Sequence, residues 1–122
     1  MAEDSPIVVV VDDDEAIRKA LSRLLRTWKF GVESFSSGAE FLSSLQSSRP
    51  DCVVLDLHMP DMDGLAVLRA LRASAHDLPV IVITAHDEPG VRAACLAAGA
   101  NAYLSKPIDG NLLRSAIVET RR

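Results

Sequence analysis

Five side chains that can do chemistry each follow an apolar run of strand length in this 122-residue sequence. Asp12 and Asp13 follow the first run, Asp56 a second, Thr84 a third and Lys106 a fourth. Parallel strands point their carboxyl ends at the same edge of a sheet, and ligands bind there in open α/β folds. The sequence therefore predicts that three carboxylates, a hydroxyl and an ammonium group converge.

Three carboxylates at one edge of a sheet repel one another, by roughly 1–4 kcal/mol per pair at about 4 Å. Such a cluster must raise a pKa or bind a cation, and oxygen ligands of this kind suit Mg²⁺. Asp56 is central in the array and is placed to attack phosphorus and form an aspartyl phosphate. Lys106 and Thr84 would then contact the phosphoryl oxygens as an ammonium and a hydroxyl group.

The elements that must position these residues alternate along the chain. Runs typical of strands cover residues 7–11, 32–35, 52–56, 80–84 and 102–105. Each is followed by apolar residues at helical spacing, around 15–28, 38–45, 65–72, 91–98 and 110–117. Five strands alternating with five helices predict right-handed crossovers and a parallel sheet covered on both faces. The predicted fold class is therefore a doubly wound α/β three-layer sandwich.

Polar residues and glycines at the helix ends predict where the helices begin and end. Asp14 suits the first turn of the first helix, and Gly31 is expected to end that helix. The segment Ser37-Gly38-Ala39-Glu40 is typical of a capping box. Asp87 is expected to cap the fourth helix and Asp109 the fifth, with Gly99 just after the fourth.

Helical spacing also predicts which side chains face inward. In the third helix Arg72 is expected to point outward, together with Arg69. In the fourth helix Ala94 and Cys95 are expected to face the core, and in the fifth helix Leu112.

The composition limits the class of protein. Hydrophobic residues make up 48% of the chain and charged residues 25%, which is typical of one globular domain. The net charge of −4 argues against non-specific nucleic-acid binding, and no apolar run could span a bilayer. The acidic N-terminus lacks the features of a signal peptide, and Cys52 and Cys95 are expected to be buried thiols. A cytoplasmic protein without membrane contact is the expectation.

Four segments resemble the receiver domain of two-component response regulators. They are Val11-Asp12-Asp13-Asp14, Leu55-Asp56-Leu57-His58-Met59-Pro60-Asp61-Met62-Asp63-Gly64, Ile83-Thr84-Ala85 and Lys106-Pro107. Their order and spacing both agree, and the resemblance runs from residue 7 to about residue 120. It implies a flavodoxin-like (βα)5 sandwich with strand order 2-1-3-4-5. It also implies that residues 1–122 form a single receiver domain with an ordered core of about 7–120.

The resemblance assigns a role to each site residue. It implies that Asp56 is the phosphoacceptor and that Mg²⁺ is the cofactor. Asp13, Asp56 and the backbone carbonyl of His58 would bind the metal directly, and Asp12 would bind it through water. Lys106 joins Asp56 in the catalytic set, and its peptide bond to Pro107 is expected to be cis.

Two further residues form the switch pair of the family by the same resemblance. The hydroxyl of Thr84, also in the catalytic set, is expected to move to the phosphoryl group while the ring of Tyr103 turns inward. His58 and His86 each lie two residues beyond a site residue, where the family tunes the attack of water on phosphoaspartate. A histidine pair that binds Zn²⁺ is the alternative at these positions.

The implied activity is a switch that catalyses only its own phosphorylation and dephosphorylation. The expected partner is a sensor histidine kinase, which would contact the first and last helices. Phosphorylation is expected to alter the surface of the fourth helix, fifth strand and fifth helix, where a homodimer would form. DNA would be reached only through a separate output domain, and a single-domain regulator or phosphorelay component is the alternative.

Two weaker signals concern the subtype of regulator. Residues 34–42 resemble FixJ/NarL-type receivers, which control transcription. OmpR-type regulators have an acidic residue just before the switch aromatic, where this chain has Ala102. That departure argues against an OmpR-type dimer.

Two other protein classes place an acidic residue or a phosphate loop after a strand. A haloacid-dehalogenase-type phosphatase needs a second Asp where this chain has His58. A flavodoxin needs a neutral phosphate loop, and the run of Asp12, Asp13 and Asp14 would repel the flavin phosphate.

Overall fold

A computed structural model describes residues 5–74 and 76–120 of the chain. The strands are β1 (Ile7–Val11), β2 (Gly31–Phe35), β3 (Cys52–Asp56), β4 (Val80–Thr84) and β5 (Ala102–Ser105). The helices are α1 (Glu15–Thr27), α2 (Gly38–Ser44), α3 (Gly64–Ala73), α4 (Val91–Ala97) and α5 (Gly110–Thr120). The strands form one parallel sheet in the order β2-β1-β3-β4-β5. The predicted flavodoxin-like sandwich is confirmed.

The apolar runs form strands because both faces of the sheet are covered. Strands β3 and β4 are buried at every position, and β1 at every position but its first. Alternate side chains of a strand point to opposite faces, so the sheet separates two cores. One core packs against α2, α3 and α4 and includes Val9, Val53, Phe41, Val67 and Cys95. The other packs against α1 and α5 and includes Val8, Val54, Leu25, Leu113 and Cys52. Burial on both faces is what allows such continuous Val and Ile runs.

The two cysteines lie in different cores. Cys52 belongs to the core under α1 and α5, and Cys95 to the core under α2, α3 and α4. The sheet between them prevents a disulfide, so the prediction of buried thiols is confirmed. Among the described residues, no helix has the length and apolar character needed to cross a membrane.

The end of α1 differs from the prediction. Asp14 does cap the start, because its side chain accepts hydrogen bonds from the backbone N–H groups of Ala16 and Ile17. The helix ends at Thr27 with Trp28 as its C-cap, and Lys29 takes the left-handed conformation with φ of +71°. Gly31 instead begins β2, where a Cβ atom would lie 2.6 Å from the side chain of Ile7. Its glycine character serves packing in the sheet and does not end the helix.

The start of α2 contains half of a capping box. Ser37 accepts a hydrogen bond from the backbone N–H of Glu40 at 3.2 Å, as predicted. The Glu40 carboxylate accepts from the hydroxyl of Ser36 and does not return to the backbone of Ser37. Asp109 caps α5 as predicted, through the N–H groups of Asn111 and Leu112.

The predicted cap of α4 is wrong. This helix begins after Gly90, which has a φ of +85°, and no side chain caps it. The Asp87 carboxylate contacts β5 instead. Gly99 has a φ of +111° directly after the last residue of the turn, Ala98, so its predicted place is confirmed.

Three side chains do not face where helical spacing places them. Arg72 is half-buried, and its guanidinium donates hydrogen bonds to the carbonyls of His76, Leu78 and Gly99. Ala94 is exposed, and Leu112 is 57% exposed. Periodicity alone misses Arg72 because its partners lie in the loops before β4 and β5.

Candidate functional site

The acidic residues predicted from the sequence do converge. Asp12 follows β1 directly and Asp56 ends β3, and Val11 pairs with Leu55 in the register of these neighbouring strands. One carboxylate oxygen from each of Asp12, Asp13 and Asp56 lies within 4.8 Å of the others. Asp12 and Asp56 are buried, whereas Asp13 is exposed. The cluster therefore has two buried members and one that faces solvent.

Lys106 contributes the only ammonium group among the described contacts of this cluster. Its Nζ atom lies 2.9 Å from Oδ2 of Asp12 and 3.3 Å from Oδ1 of Asp56. Burial acts to lower the pKa of Lys106, but the hydrogen bond to Asp12 and the charge of Asp56 hold it above its usual value. Lys106 therefore stays charged and bridges the two buried carboxylates.

The ionised form of Asp56 is destabilised in this site. Its burial, and then the nearby charge of Asp12, raise its pKa from 3.8 to about 6. The ammonium of Lys106 and the backbone N–H of His58, 3.4 Å from Oδ1, oppose that rise. A single ammonium group leaves two buried carboxylates with net negative charge, so the site favours a further cation.

Asp12 is held rigidly by the chain itself. Its Oδ1 accepts from the N–H of Asp14 at 2.9 Å, and its Oδ2 accepts from Lys106. The guanidinium of Arg18 donates to the backbone carbonyl of Asp12 at 2.8 Å. Sequence reasoning missed Arg18, which is half-buried, because a position six residues after Asp12 carries no motif that connects it to the site.

The donor set fits a hard divalent cation. Mg²⁺ prefers carboxylate oxygens and keeps several waters. Both oxygens of Asp12 are already bonded within the chain, while Asp13 is exposed beside them. The three carboxylates could therefore hold a metal ion, and Asp13 is the member of the cluster that is open to solvent.

The loop after Asp56 packs tightly against it. Gly64 begins α3, and its N–H donates to the carbonyl of Leu57 at 2.9 Å. A Cβ atom at Gly64 would overlap the backbone oxygen of Asp56. Asp63 caps α3 by accepting from the N–H of Ala66 at 2.8 Å. The start of α3 therefore supports the Asp56 backbone directly.

The two residues expected to form a switch pair lie on neighbouring strands. Thr84 is fully buried; its Oγ1 accepts from the N–H of His86 at 3.0 Å and donates to the carbonyl of His86 at 3.3 Å. Tyr103 is 4% exposed, so its ring lies inward, and its hydroxyl donates to Asp87. Burial and then the Asp87 contact raise the pKa of Tyr103 to about 12.

His58 and His86 are exposed and meet at the mouth of the site. Their ring centroids lie 4.9 Å apart in an edge-to-face arrangement. In the described part of the chain, the only set of three or more metal-ligating side chains that could share an ion is the acidic cluster. The Lys106-Pro107 peptide bond is cis, as expected.

A family model described as "Response regulator receiver domain" matches residues 8–118. The chain belongs to this family. It is therefore a receiver domain of two-component signalling, and the resemblance seen in the sequence is confirmed. The match also excludes the phosphatase and the flavodoxin as classes for this chain.

Curated relatives of this receiver domain include Response regulator MprA from Mycolicibacterium vanbaalenii and from Mycobacterium avium. They are 49% and 48% identical over 100 residues, which is 82% of this chain. Those residues cover 43% and 44% of the relatives. The chain thus spans less than half the length of these response regulators.

Solved receiver structures have the same fold. A response regulator receiver protein from Burkholderia phymatum is 46% identical, with a TM-score of 0.85 over 96% of this chain and 95% of that one. FixJ-N is 33% identical, with a TM-score of 0.89 over 97% of this chain and 94% of that one.

Proposed function

We propose that this receiver domain is a phosphorylation-activated switch in which Asp56 accepts a phosphoryl group from a histidine kinase. The observation that carries the proposal is the convergence of Asp12, Asp13, Asp56 and Lys106 at the carboxyl edge of the sheet. Asp56 is the member attached to the central strand and supported from below by Gly64. Residues 1–122 would act as one domain.

Mg²⁺ is the proposed cofactor, held by Asp13, Asp56 and the backbone carbonyl of His58, with Asp12 acting through water. It would neutralise the excess negative charge of the cluster and of a transferring phosphoryl group. The raised pKa of Asp56 is consistent with this assignment, because burial first and the charge of Asp12 second disfavour its ionised form, and a bound cation would offset both.

The transfer step uses groups of the chain itself. A carboxylate oxygen of Asp56 attacks phosphorus, a P–O bond forms, and the P–N bond to the donor histidine breaks. Lys106 Nζ, already 3.3 Å from Asp56, would contact a phosphoryl oxygen. The Thr84 hydroxyl would break its hydrogen bonds with His86 and donate to another phosphoryl oxygen. The domain would catalyse this transfer and the hydrolysis of its own aspartyl phosphate, in which water attacks, the bond to Asp56 breaks and inorganic phosphate is released.

The kinase would dock beside Lys106. An apolar groove of about 320 Å³ lies between α1 and the segment that follows β5. Its walls are Ile17, Ala20, Leu21, Leu24, Pro107 and Ile108, with Lys106 at one end. Because Lys106 lines this groove and also contacts Asp56, we propose that the groove receives apolar side chains that surround the donor histidine.

The output would depend on the surface of α4, β5 and α5. Leu96 on α4 and Leu112 and Val118 on α5 are exposed apolar residues on that side. We propose that phosphorylation promotes a homodimer there. Because the MprA relatives are more than twice as long as the matched region, a separate output domain that controls transcription is the favoured arrangement. A single-domain regulator that acts through protein contacts is the alternative.

Phosphorylation is tested with acetyl phosphate, with and without Mg²⁺, by intact-protein mass spectrometry. The wild type should gain one phosphoryl group only with Mg²⁺, and Asp56→Asn should gain none. Asp61→Asn is the matched control, because Asp61 is exposed and Asn tolerates its φ of +67°. A phosphoryl group retained by Asp56→Asn would contradict the assignment of the phosphoacceptor.

Metal binding needs a separate readout, and calorimetry supplies it. Trp28 lies at the far end of α1 from the acidic cluster, so its fluorescence is a poor reporter of the site. Heat of Mg²⁺ binding in the wild type, lost in Asp13→Asn, is the expected result. Equal binding by both proteins would contradict the role of Asp13.

A further inference from the structure

The carboxylate of Asp87 bridges two side chains of β5. Its Oδ1 accepts from the hydroxyl of Tyr103 at 3.1 Å, and its Oδ2 accepts from the hydroxyl of Ser105 at 3.3 Å. Asp87 lies in the segment between β4 and α4, so these bonds connect that segment to the edge strand of the sheet. The two hydroxyl donors hold the carboxylate by both of its oxygens.

Arg92 on α4 holds the same aromatic residue from another direction. Its guanidinium lies 5.6 Å from the ring centroid of Tyr103, within the range of a cation–π contact. It also donates to the backbone carbonyl of Tyr103 at 3.3 Å. The ring is thus restrained at its hydroxyl, its face and its backbone, which explains its exposure of only 4%.

Helix α4 has no side-chain cap, and Asp87, which the sequence predicted in that role, lies three residues before its N-cap residue, Gly90. The helix begins at a left-handed Gly90 with no side-chain hydrogen bond to its first turn. The Asp87 carboxylate bonds to Tyr103 and Ser105 instead.

We propose that Asp87 is a positioning residue that holds Tyr103 in its inward position and thereby sets the α4–β5 surface. This inference rests on the proposed function, in which Thr84 and Tyr103 form the switch pair. The restraint is built from Asp87, Arg92 and Ser105, and its described bonds run through neither Asp56 nor Lys106. The ring therefore responds to two inputs, the Asp87 carboxylate and the phosphoryl group at Asp56.

We expect the Tyr103 ring to exchange between an inward and an outward state. A contact that is made only in the inward state shifts the population toward that state. Without the Asp87 contact, the ring should populate an outward state, and phosphorylation should then be needed to return it inward. The raised pKa of Tyr103 agrees with a hydroxyl held by a carboxylate.

The test uses the single tyrosine of the chain as its own reporter. Tyrosine labelled with ¹³C in the ring is incorporated into the Asp56→Asn variant, which cannot be phosphorylated at residue 56. NMR then measures the ring resonance and its relaxation by a soluble gadolinium chelate. Asp87→Ala should shift the resonance and raise its relaxation severalfold, and Asp87→Asn, which keeps an acceptor oxygen, should largely restore both.

Glu88→Ala is the matched control, since it removes the neighbouring exposed carboxylate without touching Tyr103. A ring equally protected in Asp87→Ala and in the control would overturn the proposal. Because this measurement needs no phosphoryl transfer, it reads out even if the proposed chemistry at Asp56 fails.

A second measurement connects the restraint to the switch. On an otherwise wild-type background, the initial rate of phosphorylation by acetyl phosphate should fall severalfold in Asp87→Ala. Tyr103→Phe should lower it similarly, and the double variant should be no slower than either single variant. Fully additive losses would show that Asp87 does not act through the Tyr103 hydroxyl and would overturn the proposal.

Discussion

At the scale of single residues, the site is an uneven balance of charge. Two buried carboxylates, Asp12 and Asp56, share one ammonium group, Lys106, at 2.9 and 3.3 Å. Burial, and then the negative charge of Asp12, make ionised Asp56 costly in the folded state, which is why its pKa rises to about 6. Binding of a cation, or a change in the charge of Asp56, would relieve part of this unfavourable energy.

The raised pKa of Asp56 has a definite effect on stability. Its folded value of about 6 exceeds the model value of 3.8, so between these pH values the folded state binds more protons than the unfolded state. Stability contributed by Asp56 is therefore full below about pH 4 and is lost as pH rises through 6.

We accordingly expect Asp56→Asn, measured without divalent cations, to be more stable than the wild type at pH 7.5. The gain should be about 1–3 kcal/mol, because one pKa unit corresponds to about 1.4 kcal/mol. It should shrink at pH 4, where Asp56 is protonated in the folded state and partly protonated in the unfolded state. Urea denaturation at both pH values checks this, with Asp61→Asn as the exposed control. An equal effect at both pH values would contradict the charge argument.

At the scale of elements, the strands place the functional groups and the helix starts hold them. The β3 strand brings Asp56 to the carboxyl edge, and the first residue of α3, Gly64, packs on its backbone. Asp87 and Arg92 join the start of α4 to β5 in a similar way. Motion of α4 relative to β5 would therefore break the contacts of Asp87 and Arg92 with Tyr103.

Replacing Gly64 with Ala tests the support under Asp56. The new Cβ atom would overlap the Asp56 carbonyl oxygen and lie 2.8 Å from Leu57 Cα, and backbone atoms cannot rotate away. We expect a loss of roughly 1–3 kcal/mol in stability from this overpacking and a slower rate of phosphorylation by acetyl phosphate.

Gly110→Ala is the control for that change, because its new Cβ atom would meet only side-chain atoms at 3.7 Å or more. Alanine at this first position of α5 should be neutral or stabilise by up to about 1 kcal/mol. Thermal unfolding and phosphorylation rates of both variants test whether Gly64 supports Asp56. Equal behaviour would mean that the loop after β3 yields easily and does not hold Asp56.

At the scale of the whole molecule, the proposed phosphoacceptor and the proposed output surface lie in different regions around one sheet. The acidic cluster lies at the carboxyl edge of the central strands, whereas exposed Leu96 and Leu112 lie on helices that flank edge strand β5. Packed elements transmit a change between such regions only if they have two arrangements. The Tyr103 ring is the element that we propose for this role.

The proposed dimer is tested by sedimentation velocity before and after phosphorylation. The phosphorylated wild type should sediment as a dimer at lower concentration than the unphosphorylated protein. Leu96→Glu should weaken this association at least about tenfold, since it places charge in an apolar contact. Ala39→Glu, on exposed α2 at the other side of the molecule, should not. Monomers throughout would exclude the dimer without affecting the chemistry at Asp56.

Much of this architecture can be predicted from patterns within single segments of the sequence. Continuous Val and Ile runs can only be satisfied by burial on both faces, so the strands around Val9, Val54 and Ile81 were predictable. The carboxyl ends of parallel strands share an edge, so the convergence of Asp12, Asp56 and Lys106 was predictable too. The strand order came from the family resemblance and not from periodicity.

Other features depend on which segments become neighbours in space. Asp87 has the spacing of a helix cap, but folding brings the Tyr103 and Ser105 hydroxyls within reach of its carboxylate. Arg72 has the spacing of an exposed side chain, but the loop carbonyls of Leu78 and Gly99 need donors. Periodicity reports the direction of a side chain relative to its own helix, whereas the partners of a polar group are set by the rest of the fold.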